Sequence, residues 1–147
     1  MEIKYSLKVS APAFFAVIRD SVLEELHTFG KLPPEETAIE EGMAYSKILK
    51  RGKRRNRTIV KITQYEEARR YQTRIKSDDG RIFEITYLLE PNAAGGCELT
   101  YSEELYQPDG TQDVRMRTFL FGKISARGIK HRFRKIEKTI LQKENQA

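Results

Sequence analysis

Residues 82–106, IFEITYLLEPNAAGGCELTYSEELY, contain two segments of strand length whose apolar side chains fall at every second position. That is the pattern of extended chain with one face turned to a core. In the first, Phe83, Ile85, Tyr87 and Leu89 share a face; in the second, which begins at Cys97, the shared face holds Leu99, Tyr101, Glu103 and Leu105. Between them stand Pro91 and Gly95-Gly96, a break that suits a hairpin connection. Strands joined this way are antiparallel, so the stretch belongs to a meander and not to a parallel crossover unit.

Three further segments of strand length lie upstream, Met43–Lys50, Thr58–Tyr65 and Arg69–Lys76, separated by Arg51-Gly52, Glu66-Glu67 and Asp78-Asp79-Gly80. Without a crossover, a doubly wound nucleotide-binding sheet is not expected. At the start of the chain Ile3, Tyr5, Leu7 and Val9 alternate as in a half-buried strand. The period then changes: Ser10 or Ala11 can cap a helix, Pro12 is tolerated in its first turn, and Phe15, Ile18, Val22, Leu26 and Phe29 recur at helical spacing. Gly30 is predicted as its left-handed stop, and Lys31–Glu36, with Pro33 and Pro34, as a loop.

Beyond Pro108-Asp109-Gly110 the proline-free stretch from Thr111 to Lys143 predicts one long helix. Its apolar stripe shifts along its length: Val114, Phe121 and Ile124 mark one face, and Ile129, Phe133, Ile136 and Ile140 another, rotated by roughly 90°. Gly122 and Gly128 at the shift fit a bend or a crowded contact, or, with Ser125, room beneath the helix. The order of elements predicts an α+β fold, a curved antiparallel sheet wrapped around a long C-terminal helix.

The 147 residues suit a single domain over the whole chain, with the last few as a disordered tail. One cysteine, Cys97, excludes an internal disulfide framework and reads as a small buried hydrophobe. No segment has the length or apolarity of a membrane span, and the first ten residues lack the pattern of a signal peptide, so a cytoplasmic location is expected. The net charge of +6 comes with 33% charged residues of both signs, which an ordinary surface also carries.

The opening strand followed by Val9-Ser10-Ala11-Pro12-Ala13 and the aromatic helix start Phe14–Asp20 resembles the START-like, or SRPBCC, Bet v 1-like helix-grip superfamily. Phe83-Glu84-Ile85-Thr86-Tyr87 and Leu99-Thr100-Tyr101-Ser102-Glu103-Glu104 resemble its penultimate and last strands. The whole chain, including the basic final helix, is similar to an uncharacterised bacterial family within it. The resemblance implies a domain of the kind that binds lipids, hormones or polyketides, some members of which act as cyclases or hydrolases.

The candidate ligand-binding residues are Tyr71, Thr73, Phe83, Tyr87, Tyr101, Glu103 and Phe121. The first six are polar and aromatic members of strand faces expected to look toward the helix, and Phe121 belongs to the apolar stripe of the helix itself; a concave, mostly apolar space between them would take a small apolar or aromatic ligand. Each also has a plain structural reading as core, and Glu103 as a carboxylate paired with an arginine or a tyrosine. Three alternatives follow: ligand binding without a cofactor, acid–base chemistry of cyclase or hydrolase type by Glu103 and Tyr101, or binding of nucleic acid or an anionic membrane by basic surfaces. Those surfaces are the hairpin Arg51–Arg57 and the final helix with Lys123, Arg127, Lys130, Arg132, Arg134, Lys135 and Lys138. No aromatic side chains interleave with the hairpin run and no recognition motif accompanies it, so nucleic acid is not expected. His27 and His131 have no second ligand at metal-binding spacing, no Gly-x-Ser-x-Gly elbow occurs, and no phosphate loop follows a strand, so neither metal nor cofactor is expected.

Overall fold

The computed structural model describes residues 1–113 and 126–146, with positions 49 and 51 as backbone alone. The order along the chain is β1 (Glu2–Leu7), α1 (Ala11–Phe29), β2 (Ala44–Arg51), β3 (Arg54–Glu66), β4 (Arg70–Ser77), β5 (Ile82–Pro91), β6 (Cys97–Tyr106) and α2 (Ala126–Gln146). The strands form one antiparallel sheet in the order β1-β6-β5-β4-β3-β2. Five strands follow as a meander and β1 closes on the last of them. One face of this curved sheet carries the buried side chains, and α1 and α2 supply the rest of the core, as the alternation and the helical spacing predict.

Local chemistry explains the element boundaries. The Ser10 hydroxyl accepts a hydrogen bond from the Ala13 N–H at 3.2 Å, which caps α1, and Phe14, Phe15, Ile18, Val22 and Leu26 form its buried stripe. Gly30 is not the left-handed stop expected of it, since its φ is −96° and Lys31 takes the left-handed turn at 59°. The Gly30 and Leu32 N–H groups both donate to the Leu26 carbonyl, at 2.9 and 3.3 Å. The reversal thus falls one residue beyond the glycine, whose lack of a Cβ serves a close approach: such an atom would stand 2.9 Å from the Leu26 oxygen. Gly96 has a similar role, since a Cβ there would lie 2.0 Å from the Leu7 carbonyl oxygen, where β1 crosses the end of the β5–β6 turn.

Two expectations need correction. The break between the strands predicted to end at Lys50 and to begin at Thr58 is much shorter than that: only Gly52-Lys53 turn, and Arg54–Arg57 already belong to β3, with Arg51 opposite Arg54 and with Arg54, Arg55 and Arg57 exposed. The final helix does not begin near Thr111. The Gln107 N–H donates to the Thr111 carbonyl, Gln112 bridges to Tyr106, and the Asp113 N–H donates to the Leu105 carbonyl, so Thr111–Asp113 fold back onto the end of β6. Val114, Phe121, Gly122, Ile124 and Ser125 lie outside the described residues. From Ala126 onward the second predicted face is present: Ile129, Phe133 and Ile140 are buried and Ile136 is half-buried. A buried carboxylate joins them, Glu137, which accepts the Lys8 N–H at 2.6 Å and ties α2 to the segment between β1 and α1.

Candidate functional site

Register decides which side chains meet on the core face. Tyr65 on β3 is paired with Tyr71 on β4, Tyr71 with Tyr87 on β5, and Tyr87 with Tyr101 on β6. Four tyrosines therefore stand directly opposite one another across four adjacent strands, with ring centroids 6.4, 6.2 and 4.9 Å apart. Phe133 of α2 closes the row from above, 6.5 Å from Tyr87 and 5.6 Å from Tyr101, and also meets Tyr5 and Phe14 at 6.1 Å each. Edge-to-face ring contacts of this kind contribute about 0.5–1.5 kcal/mol beyond the area they bury.

The next row along the same face is Glu103, Ile85, Thr73 and Ile62, and the one after it Leu105, Phe83, Ile75, Val60 and Tyr45. Of the candidate residues, Tyr71, Tyr87 and Tyr101 thus share one row and Thr73 and Glu103 the row beside it. Phe83 lies a row further off, and Phe121 is outside the described residues. Glu103 is wholly buried. The Tyr101 hydroxyl donates a hydrogen bond to its carboxyl group, and its backbone N–H and carbonyl bond Met1, the carbonyl to the terminal amine at 2.6 Å. Thr73 donates to the Lys61 carbonyl at 3.1 Å.

Sequence reasoning missed Tyr65, Phe133 as the lid of the row, and a polar group at the far edge. There the Tyr45 hydroxyl donates to Glu25 of α1, and Lys47 pairs with the same carboxylate at 2.5 Å. Tyr65 was hidden by a register shift between Ile62 and Gln64, which turns Tyr65 back to the core face after one extra residue.

Burial holds these phenols protonated. It pushes Tyr71 up to about 12 and raises Tyr87 and Tyr101 further, with Tyr71 adding to the effect on Tyr87, Tyr87 to that on Tyr101, and Glu103 to both. The Arg132 guanidinium on α2 acts the opposite way on both. At neutral pH the row consists of hydroxyl groups able to donate, beside a carboxyl group that accepts. Cys97 is fully buried, and burial lifts its thiol to about 11, so it is not a reactive thiolate at neutral pH.

The stability that burial gives Tyr71 is present below pH 10, the ordinary phenol value, and is lost as pH rises through about 12; the difference corresponds to roughly 3 kcal/mol. The chain is therefore expected to unfold cooperatively as tyrosinate forms across that window. The check is an alkaline titration of ultraviolet tyrosinate absorbance with circular dichroism in parallel, undisturbed by tryptophan because the chain has none. Smooth titration of all seven tyrosines around pH 10 in a chain that stays folded would contradict it.

Two open hollows flank α2. One, of about 370 Å³, runs between the helices over Val17, Ile136 and Ile140, with Asp20 and Glu24 on the α1 side and Lys135 and Lys143 on the other. The second, of about 760 Å³, has Arg127, Lys130, His131 and Arg134 on its wall. Among the described residues no three His, Cys, Asp or Glu side chains gather as metal ligands, and no helix is long and apolar enough to cross a membrane.

This architecture is the Bet v 1-like helix-grip fold. The chain belongs to the family described as Domain of unknown function (DUF3284), whose model matches residues 1–122. Curated protein sequences give no match. Among solved structures, norcoclaurine synthase from Thalictrum flavum is similar over 96% of this chain and 85% of its own, with 15% identity and a TM-score of 0.57. The protein DR_A0006 from Deinococcus radiodurans is similar over 93% and 92%, at 12% identity and a TM-score of 0.57. Ara h 8.0201 is similar over 97% of both chains, at 17% identity and a TM-score of 0.56. At these identities the likeness is one of fold.

Proposed function

We propose that this chain binds a small apolar or aromatic ligand between its curved sheet and α2, the ligand taking the place over the tyrosine row that the Phe133 ring fills in this structure. Tyr71, Tyr87, Tyr101 and Phe83 supply the aromatic surface, Thr73 and Glu103 supply polar contacts, and Phe121 completes the set from the sequence. The observation that carries this reading is the row of directly paired tyrosines with a wholly buried carboxylate beside it. A fold needs aromatic bulk in its core, but apolar rings would fill that space without hydroxyl and carboxyl groups that must be desolvated. The fold adds weight, since one of its members is by name a synthase of a small molecule.

Native mass spectrometry of protein purified from its own host tests the reading. A reproducible mass increment that departs on denaturation is expected, and Tyr87→Leu is expected to lower occupancy at least about tenfold, equivalent to about 1.4 kcal/mol. A protein that carries nothing from its host, and whose tyrosine fluorescence is unchanged by that host's small-molecule extract, would defeat the proposal.

The contact between Tyr101 and Glu103 favours a second reading, acid–base chemistry on the bound ligand. It requires that Glu103→Gln abolish turnover of the ligand while leaving it bound.

A further inference from the structure

β2 ends the sheet on one side, and its outer edge has no strand partner among the described residues. The Met43 carbonyl accepts from the Ile62 N–H at 2.8 Å, so the antiparallel alternation turns the N–H and C=O groups of Ala44, Ser46, Ile48 and Lys50 outward. Such an edge is a template for another strand, and large apolar groups on it are usually avoided. Here Ile48 is 52% exposed, and Ile59, its diagonal neighbour on β3, 53%.

The two ends of β2 differ in charge. The turn that leads into it carries the exposed Glu40 and Glu41; its far end carries the exposed Lys50, followed by Lys53 in the turn and by Arg54 and Arg55 at the start of β3, all exposed. An edge with opposite charges at its two ends complements itself when two copies run antiparallel, because each acidic end then meets the other's basic end.

We propose that β2 pairs with β2 of a second copy of this chain about a two-fold axis at Lys47. Ser46 of one copy then lies opposite Ile48 of the other, and Ala44 opposite Lys50, so that outward-pointing backbone groups meet outward-pointing backbone groups; the two Lys47 residues face each other at the axis, each with its charge paired to Glu25 of its own chain at 2.5 Å. On the outer face Ile48 and Ile59 of both copies come together as a patch of four isoleucines around the two serines. Lys53, in the turn, and Arg54, at the start of β3, bring positive charge toward the Glu40 and Glu41 end of the other copy, where Glu41 also accepts the Tyr65 N–H of its own chain at 3.0 Å. A parallel arrangement would instead set acid against acid and base against base.

Sedimentation equilibrium of the full chain and of two charge-reversed variants tests this. Wild type is expected to form a dimer that weakens as salt is raised. Glu40→Lys/Glu41→Lys and Lys53→Glu/Arg54→Glu are each expected to raise the dimer dissociation constant at least about tenfold, while an equal mixture of the two restores association to within about threefold of wild type. The mixture also guards against misfolding, since damaged chains would not rescue each other. A wild type that stays monomeric up to about 1 mM, or a mixture that binds no more tightly than either variant alone, would overturn the proposal. So would a dimer that ignores both variants and an Ile48→Lys change.

Discussion

Replacing Phe133 with alanine is expected to lower the stability of the chain by about 3–5 kcal/mol, the range for a large aromatic removed from a packed core. The ring is 4% exposed and makes edge-to-face contacts with Tyr5, Phe14, Tyr87 and Tyr101, which come from β1, α1, β5 and β6. No other described residue joins so many elements through ring contacts. Its loss would leave a cavity that those elements cannot close together, since the tyrosines are held in position by the ladder pairing. Ile129 and Ile140, each near one end of α2, would still hold the helix, so partial detachment of the helix is less favoured than loss of the whole fold. For a chain of this length the expected fall in Tm is roughly 10 °C. Urea unfolding followed by far-ultraviolet circular dichroism gives the free energy, and a loss below about 1 kcal/mol would show that the row packs without its lid.

That lid was visible in the sequence as a member of a helical stripe, but its partners were not. Alternation over Phe83–Leu89 and Leu99–Leu105 placed both strands on the right face, because a half-buried strand repeats every second residue and nothing interrupts these two. Tyr71, Thr73 and Ile75 were legible for the same reason. The row itself was not, because it depends on pairing register, which turn geometry fixes and side-chain period leaves open. Tyr65 shows the limit most sharply: counted by twos from the buried Ile62 it should face outward, and only the extra residue at the register shift brings it to the core. At Gly30 the sequence identified the end of the helix but not the mechanism, since a close approach to Leu26 explains the glycine and Lys31 carries the positive φ. Thr111–Asp113 satisfied helical expectations by lacking proline, yet their backbone bonds go to the end of β6, a long-range competition that local propensity does not register.

The second large effect is expected from Tyr101 and Glu103 changed separately and together. Glu103→Leu removes this acceptor from the Tyr101 hydroxyl, beside Phe133 and Tyr87; Tyr101→Phe removes this donor from the Glu103 carboxyl group. Each single change is expected to cost about 2–4 kcal/mol, because half of a buried polar pair costs more than none of it. The double change replaces both groups with apolar ones of similar size and is expected to be less damaging than the sum of the singles, with a coupling of about 1–3 kcal/mol in a urea-unfolding cycle. Additive losses would mean that the hydroxyl and the carboxyl group contribute to folding independently. If the pair serves a ligand, the double variant separates the two roles: it should lose less stability than the two singles added together and yet carry no ligand from the host. A double variant that is stable and fully loaded would leave the buried carboxylate without a binding role and shift the site toward the tyrosine rings alone.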